Sequence, residues 1–130
     1  MIVVVDTSVL LPALLSSQGF IHSLLIQAGE RGYVPCVSDA IIDELVAKAS
    51  ELRIEATKIA TFRVEQDTLC INGEHHRYTT TEIQQDDHIV GCYRSCRADL
   101  VLTSDKALIR KLERLDIPAV RPSEFQAYLT

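Results

Sequence analysis

The sequence predicts a parallel α/β sandwich, and three observations carry that prediction. The chain opens on a strand-like run that is apolar at every position. Strand and helix signals then alternate along its length. Acidic residues recur just past the predicted strand ends. The 130 residues suit one domain spanning 1–130, and 47% of them are hydrophobic, enough to build a core and to argue against disorder.

Met1 to Val5, MIVVV, is β-branched from Ile2 onward and ends at Asp6. An uninterrupted apolar run suits a central strand buried on both faces of a parallel sheet. Ser8 to Leu15 follows as a short helix and Ser16 to Gly19 as a turn. Phe20 to Gly29 is an amphipathic helix with Ile21, Leu24, Leu25 and Ala28 on one face, ended by Gly29 and Gly32. Tyr33 to Val37 is the second strand. Ser38 or Asp39 caps a helix from Ala40 to Ser50, whose stripe is Ile41, Ile42, Leu45, Val46 and Ala49. Glu44 lies at the edge of that stripe. A helix over Glu55 to Glu65 and a short strand over Thr68 to Ile71 follow. Asn72-Gly73 is a turn signal, and Glu74 to Gln85 is polar and loop-like.

Asp86 or Asp87 starts the next helix, with Ile89, Val90, Tyr93 and Cys96 inward. Leu100 to Thr103 is a strand, Ser104 caps a helix from Lys106 to Leu115, and Pro118 to Val120 is a brief last strand. Ser123 caps a terminal helix carrying Phe125, Tyr128 and Leu129. Such alternation is what a parallel sheet with helical crossovers requires. No internal repeat, low-complexity tract or linker divides the chain.

The longest aliphatic run, near Val9 to Leu15, holds Pro12 and is far too short to span a bilayer. The first residues carry no basic leader, so no signal peptide and a cytoplasmic location are expected. The four cysteines, Cys36, Cys70, Cys92 and Cys96, form no CxxC pair. Cys92 and Cys96 are four apart on a predicted helix and share a face, but two further metal ligands at suitable spacing are missing. Buried or helix-surface thiols in a reducing compartment are the expectation. The net charge of −5 argues against a nucleic-acid binder, except that the four carboxylates singled out below account for most of it.

In open parallel α/β folds, sites form outside the carboxyl ends of the strands. Asp6 follows the first strand and Asp105 follows the strand ending at Thr103. Asp86 opens the helix before that strand, with Asp87 as its rival. Glu44 sits on the helix after the second strand. Carboxylates gathered at one edge repel unless a cation lies between them. Hard divalent ions with oxygen ligands, Mg2+ or Mn2+, answer that need and support phosphodiester hydrolysis by activating water. Singly, Asp86 and Asp105 suit helix capping and Glu44 a solvated helix face. An acid closing a fully apolar strand, as Asp6 does, is the stronger functional signal.

The blocks VVVDTSVLLPALL, VSDAIIDELVAKA and DDHIVGCYRSCRADLVLTSDKALI, with the ending RPSEFQAYL, resemble the PIN-domain family over nearly the whole chain. In that family a strand ends in Asp-Thr-Asn or Asp-Thr-Ser, a later helix carries one acid, and a Thr-Gly-Asp or Thr-Ser-Asp step precedes another helix. The resemblance implies a three-layer α/β/α sandwich around a central parallel sheet. It implies a ribonuclease dependent on Mg2+ or Mn2+, with Asp6, Glu44, Asp86 and Asp105 as metal-binding acids. Ser8 would support Asp6 or a metal-bound water. Many such proteins are toxins of toxin–antitoxin pairs, so the resemblance also implies an RNA substrate, a homodimer and a small antitoxin partner. The family often has another Asp where this chain has Ala107, which suggests weak binding of a second metal.

Weaker signals follow. Lys106 suits a phosphate contact or, more simply, a solvated helix face. Arg53, Arg63, Arg94, Arg97 and Arg110 are scattered. His75 and His76 belong to a polar loop, His22 to a helix, and His88 lies beside Asp86 within reach of a substrate. A haloacid-dehalogenase-type phosphatase needs Asp-x-Asp, but position 8 is Ser. A phospho-accepting receiver domain needs an acidic pair that Asp6 lacks. A catalytically weak or inactive PIN-type module that binds RNA or protein is the remaining alternative.

Overall fold

Four parallel strands organise the protein. In the computed structural model, which describes residues 1–16, 18–54 and 87–129, β1 spans Ile2–Val5, β2 Val34–Cys36, β3 Leu100–Leu102 and β4 Ala119–Val120. Their order is β2-β1-β3-β4. Val3 pairs with Pro35 on one side and Leu100 on the other, and Val5 pairs with Leu102. The central place predicted for the first strand follows from its residues: Val3, Val4 and Val5 are all buried. Pro35 has no N–H to offer a ladder, which suits β2 at the edge of the described sheet. The predicted strand over Thr68 to Ile71, the helix over Glu55 to Glu65 and the loop over Glu74 to Gln85 lie outside the described residues.

Helices connect the strands, as parallel pairing demands. They are α1 Thr7–Leu15, α2 Phe20–Glu30, α3 Asp39–Glu51, α4 Asp87–Ser95, α5 Lys106–Arg114 and α6 Pro122–Phe125, followed by a 3-10 turn at Gln126–Leu129. The predicted apolar stripes face inward: Leu24 and Ala28 of α2, Ile41, Ile42, Leu45 and Ala49 of α3, and Ile89 and Val90 of α4 are buried; α5 buries Leu108 and Leu112. Phe125 is buried and meets Tyr33 edge-on, ring centroids 5.4 Å apart. That contact holds the C-terminal segment against the start of β2. Among the described residues, no single helix is long and apolar enough to cross a membrane.

Helix ends depart from the expectations in instructive ways. Ser38 caps α3 by accepting the Ile41 N–H at 3.2 Å. Asp105, not Ser104, caps α5. Its carboxylate reaches two backbone N–H groups of the first turn, while the Ser104 N–H is turned to the Ser8 hydroxyl. Ser123 does not cap the terminal helix, because Pro122 already occupies its first turn and Arg121 stands at the cap. Gly29 lies within α2 rather than ending it.

The chain leaves α2, α3, α4 and α5 through one recurrent arrangement. The residue at positive φ is Gly32, Arg53, Arg97 or Asp116, at 85°, 58°, 51° and 59°. In each case its N–H and the next N–H bond back to carbonyls of the last turn; Arg97 donates to Arg94 and Ala98 donates to Tyr93. This pairing is the Schellman motif, which favours glycine. Three of the four exits lack glycine, so the sequence gives only one of them a visible stop signal.

The cysteine expectation is corrected. Cys36 at the end of β2 and Cys96 at the end of α4 form a disulfide across 60 positions of sequence, with Cα atoms 6.7 Å apart. The spacing of the two residues along the chain carried no hint of this pairing, because only the fold brings β2 beside α4. Cys92 is a buried thiol outside the bridge. Cys70 lies outside the described residues.

Candidate functional site

The strand order places a topological switch between β1 and β3. The chain leaves β1 toward β2 on one side and later returns to build β3 and β4 on the other. Connections then diverge at the carboxyl ends of β1 and β3, leaving the crevice where open α/β sheets bind ligands. Asp6 is the first residue beyond β1, and Thr103 is the first beyond β3. The two strand ends are clamped together there, since the Asp6 N–H donates to the Leu102 carbonyl at 3.0 Å.

Asp6 is buried, 7% exposed. Its Oδ2 accepts two hydroxyl bonds, from Ser8 at 2.8 Å and from fully buried Thr103 at 2.8 Å. Each hydroxyl has a single proton. With both spent on Asp6, the 3.2 Å contact between Ser8 Oγ and Thr103 Oγ1 is proximity rather than a third bond. Both oxygens also act as acceptors. Ser8 Oγ takes the Ser104 N–H at 2.9 Å, and Thr103 Oγ1 takes the Asp105 N–H at 3.1 Å. A single threonine hydroxyl therefore joins the Asp6 carboxylate to the backbone that presents Asp105.

Asp105 is exposed, and its Oδ1 accepts from the N–H groups of Ala107 at 2.9 Å and Leu108 at 3.2 Å. Capping thus uses one oxygen of Asp105, and hydroxyl bonding uses one oxygen of Asp6. The second oxygen of each carboxylate makes no hydrogen bond among the described residues. No lysine or arginine among those residues pairs with Asp6, which stands at the N-cap of α1. Carboxylate oxygens are the donor type that hard cations such as Mg2+ or Mn2+ take.

Glu44 is engaged by two neighbouring side chains: Oε1 meets Lys48 Nζ at 3.1 Å, and Oε2 lies 3.4 Å from His88 Nε2. No trio drawn from Asp6, Glu44 and Asp105 brings its carboxylate oxygens within 4.8 Å of one another; among the described residues only Cys36, Cys92 and Cys96 converge so closely. Asp86 lies outside the described residues. Asp87 is the first residue of α4.

Thr103 and Thr7 escape the sequence reading. Thr103 stands within the Thr-Ser-Asp step but was given no role of its own. Its position after the buried strand Leu100–Leu102 was the available signal. Thr7, fully buried, donates to the Ile41 carbonyl at 3.2 Å and ties α1 to the first turn of α3. His88 was weighed as a substrate contact, whereas the structure sets it against Glu44. Its Nδ1 is buried without a hydrogen-bond partner among the described residues. Asp99 is structural: Oδ2 accepts the Ile2 N–H at 2.8 Å and joins the starts of β1 and β3.

The chain matches no family model and no curated protein.

Proposed function

We propose that this protein is a metal-dependent endoribonuclease of the PIN-domain type, a three-layer α/β/α sandwich acting on RNA with Mg2+ or Mn2+. The observation that carries the reading is the pair of acids at the switch point, Asp6 and Asp105, linked through Thr103. Their hydroxyl and backbone partners hold one oxygen of each in place and leave the other for a cation. Ser8 and Thr103 hold Asp6 in orientation by donating to it. Glu44 and either Asp86 or Asp87 complete the ligand set in this proposal, with Glu44 exchanging its Lys48 and His88 contacts for the metal. The bound cation would supply an activated water and charge stabilisation for phosphodiester cleavage.

The test is cleavage of a labelled single-stranded RNA by the purified chain. Activity is expected with Mg2+ or Mn2+, none in EDTA, and none for Asp6→Asn with either ion. Full activity in EDTA, or an undiminished Asp6→Asn variant, sinks the proposal. The toxin reading, with a homodimer and a small antitoxin, has its own check: a short antitoxin gene beside this one.

One observation favours a second reading. Glu44 has both oxygens engaged by its neighbours, and the net charge is −5. A module of this fold with little or no catalysis, binding RNA or a protein partner, fits those facts. It predicts binding of RNA in gel-shift assays without cleavage at any metal concentration.

A further inference from the structure

Three buried sulfurs converge between the end of β2 and the end of α4. Cys36, Cys92 and Cys96 are 0%, 1% and 4% exposed, and their Sγ atoms all lie within 4.8 Å of one another. Cys36 comes from the end of β2, Cys92 from α4, and Cys96 from the turn that directly follows α4, four positions after Cys92. Cys96 closes the bridge to Cys36, while Cys92 Sγ stands 3.9 Å from Cys36 Sγ.

We infer that these residues form a disulfide site with two alternative pairings, in which Cys36 is the shared sulfur and Cys96 and Cys92 are exchangeable partners. Chain entropy does not choose between the pairings, because the closed loops are nearly equal, with sequence separations of 60 and 56. Cys92 and Cys96 do not bridge each other readily. Neighbouring Cβ atoms one helical turn apart are about 5–6 Å from each other, beyond the usual disulfide span of about 3.5–4.5 Å. Exchange is redox-neutral: the Cys92 thiolate attacks Cys36 Sγ, the Cys36–Cys92 bond forms, the Cys36–Cys96 bond breaks, and Cys96 leaves as the thiolate that takes up the proton. Forming the first bridge consumes two thiols and reduces an external disulfide such as oxidised glutathione to two thiols. Cys96 follows the last residue of α4 and, at 4%, is the most exposed of the three.

A metal site is the competing chemistry, and the surroundings disfavour it. Three thiolates around a divalent ion leave net negative charge within the apolar core, whereas a disulfide and a thiol are neutral. Zinc also needs a fourth ligand, and no further His, Cys, Asp or Glu among the described residues joins the group. The bridge ties the end of β2, which leads into the helix of Glu44, to the helix of His88. Its bearing on cleavage rests on the nuclease reading; the existence of the two pairings does not.

The test is disulfide mapping of the full chain. The protein is equilibrated in a reduced and oxidised glutathione buffer, quenched in acid, alkylated, digested and analysed by mass spectrometry. Wild type and Cys92→Ala are expected to give the Cys36–Cys96 peptide. Cys96→Ser and Cys96→Ala are expected to give Cys36–Cys92 as the main bridged species, and Cys36→Ala should lose both bridges. A Cys36 that stays a thiol or pairs with Cys70 or glutathione in both Cys96 variants overturns the inference. So does stoichiometric zinc or copper bound to reduced wild type with all three thiols protected from alkylation. None of these readouts depends on RNA cleavage.

Discussion

Replacing Thr103 by valine removes one oxygen and little else, which makes it the sharpest probe of how the two strand-end acids are held. The hydroxyl lies in a fully buried side chain and donates to a buried carboxylate at 2.8 Å. Bonds to charged groups contribute about 1.5–3 kcal/mol. Ser8 still serves the same Asp6 oxygen, so Asp6 is not stripped of donors and the upper end of that range does not apply. The Asp105 N–H also loses its acceptor at 3.1 Å, but that group is only partly buried and water replaces much of the bond. Valine keeps the shape and adds a methyl that packs in the same volume. The net expectation is a loss of about 2 kcal/mol in EDTA, read as a fall in Tm of roughly 5–8 °C for a domain of this size. Urea denaturation followed by far-UV circular dichroism gives the same difference independently. Thr103→Ser is the control: it keeps the hydroxyl, loses a buried methyl and should cost about 1 kcal/mol. Ser8→Ala, at a wetter position, should cost about 1 kcal/mol as well. A Thr103→Val variant no less stable than Thr103→Ser would refute the idea that this hydroxyl organises Asp6 and Asp105.

Asp105 has a capping role and a proposed metal role, and one substitution separates them. Asp105→Ser retains a good N-cap and should stay within about 0.5 kcal/mol of wild type, whereas Asp105→Ala should lose about 1 kcal/mol; both should lose RNA cleavage if the carboxylate binds metal. Arg97 holds a φ of 51° at the exit of α4. Arg97→Gly should therefore raise stability by about 0.5 kcal/mol, the relief of the left-handed conformation less the entropy glycine adds to the unfolded chain, measured by thermal denaturation. Reducing the Cys36–Cys96 bridge opens a loop with a sequence separation of 60. Chain entropy alone then predicts a loss of about 4 kcal/mol, measured as the difference in urea stability with and without dithiothreitol.

The sequence by itself determined the strands and helices wherever one physical rule dominated. Val3, Val4 and Val5 suit a strand buried on both faces, and the stripe of α3 places Leu45 inward whatever the connections are. The Asp after that first strand was legible for the same reason: a polar group ending an apolar run marks the sheet's edge. Helix exits were less legible, because Arg53, Arg97 and Asp116 adopt a conformation that their residue types do not announce. Only the tertiary structure decided which strand ends adjoin. The β2-β1-β3-β4 order sets Thr103 beside Asp6 and so turns an unremarked threonine into the link between two acids. It also sets Glu44 against His88, and Cys36 against Cys92 and Cys96. Hydrophobic periodicity is a local property, carried by neighbours a few residues apart. Contacts across 97 positions between Asp6 and Thr103, or 60 between Cys36 and Cys96, exist only once the sheet has chosen its order.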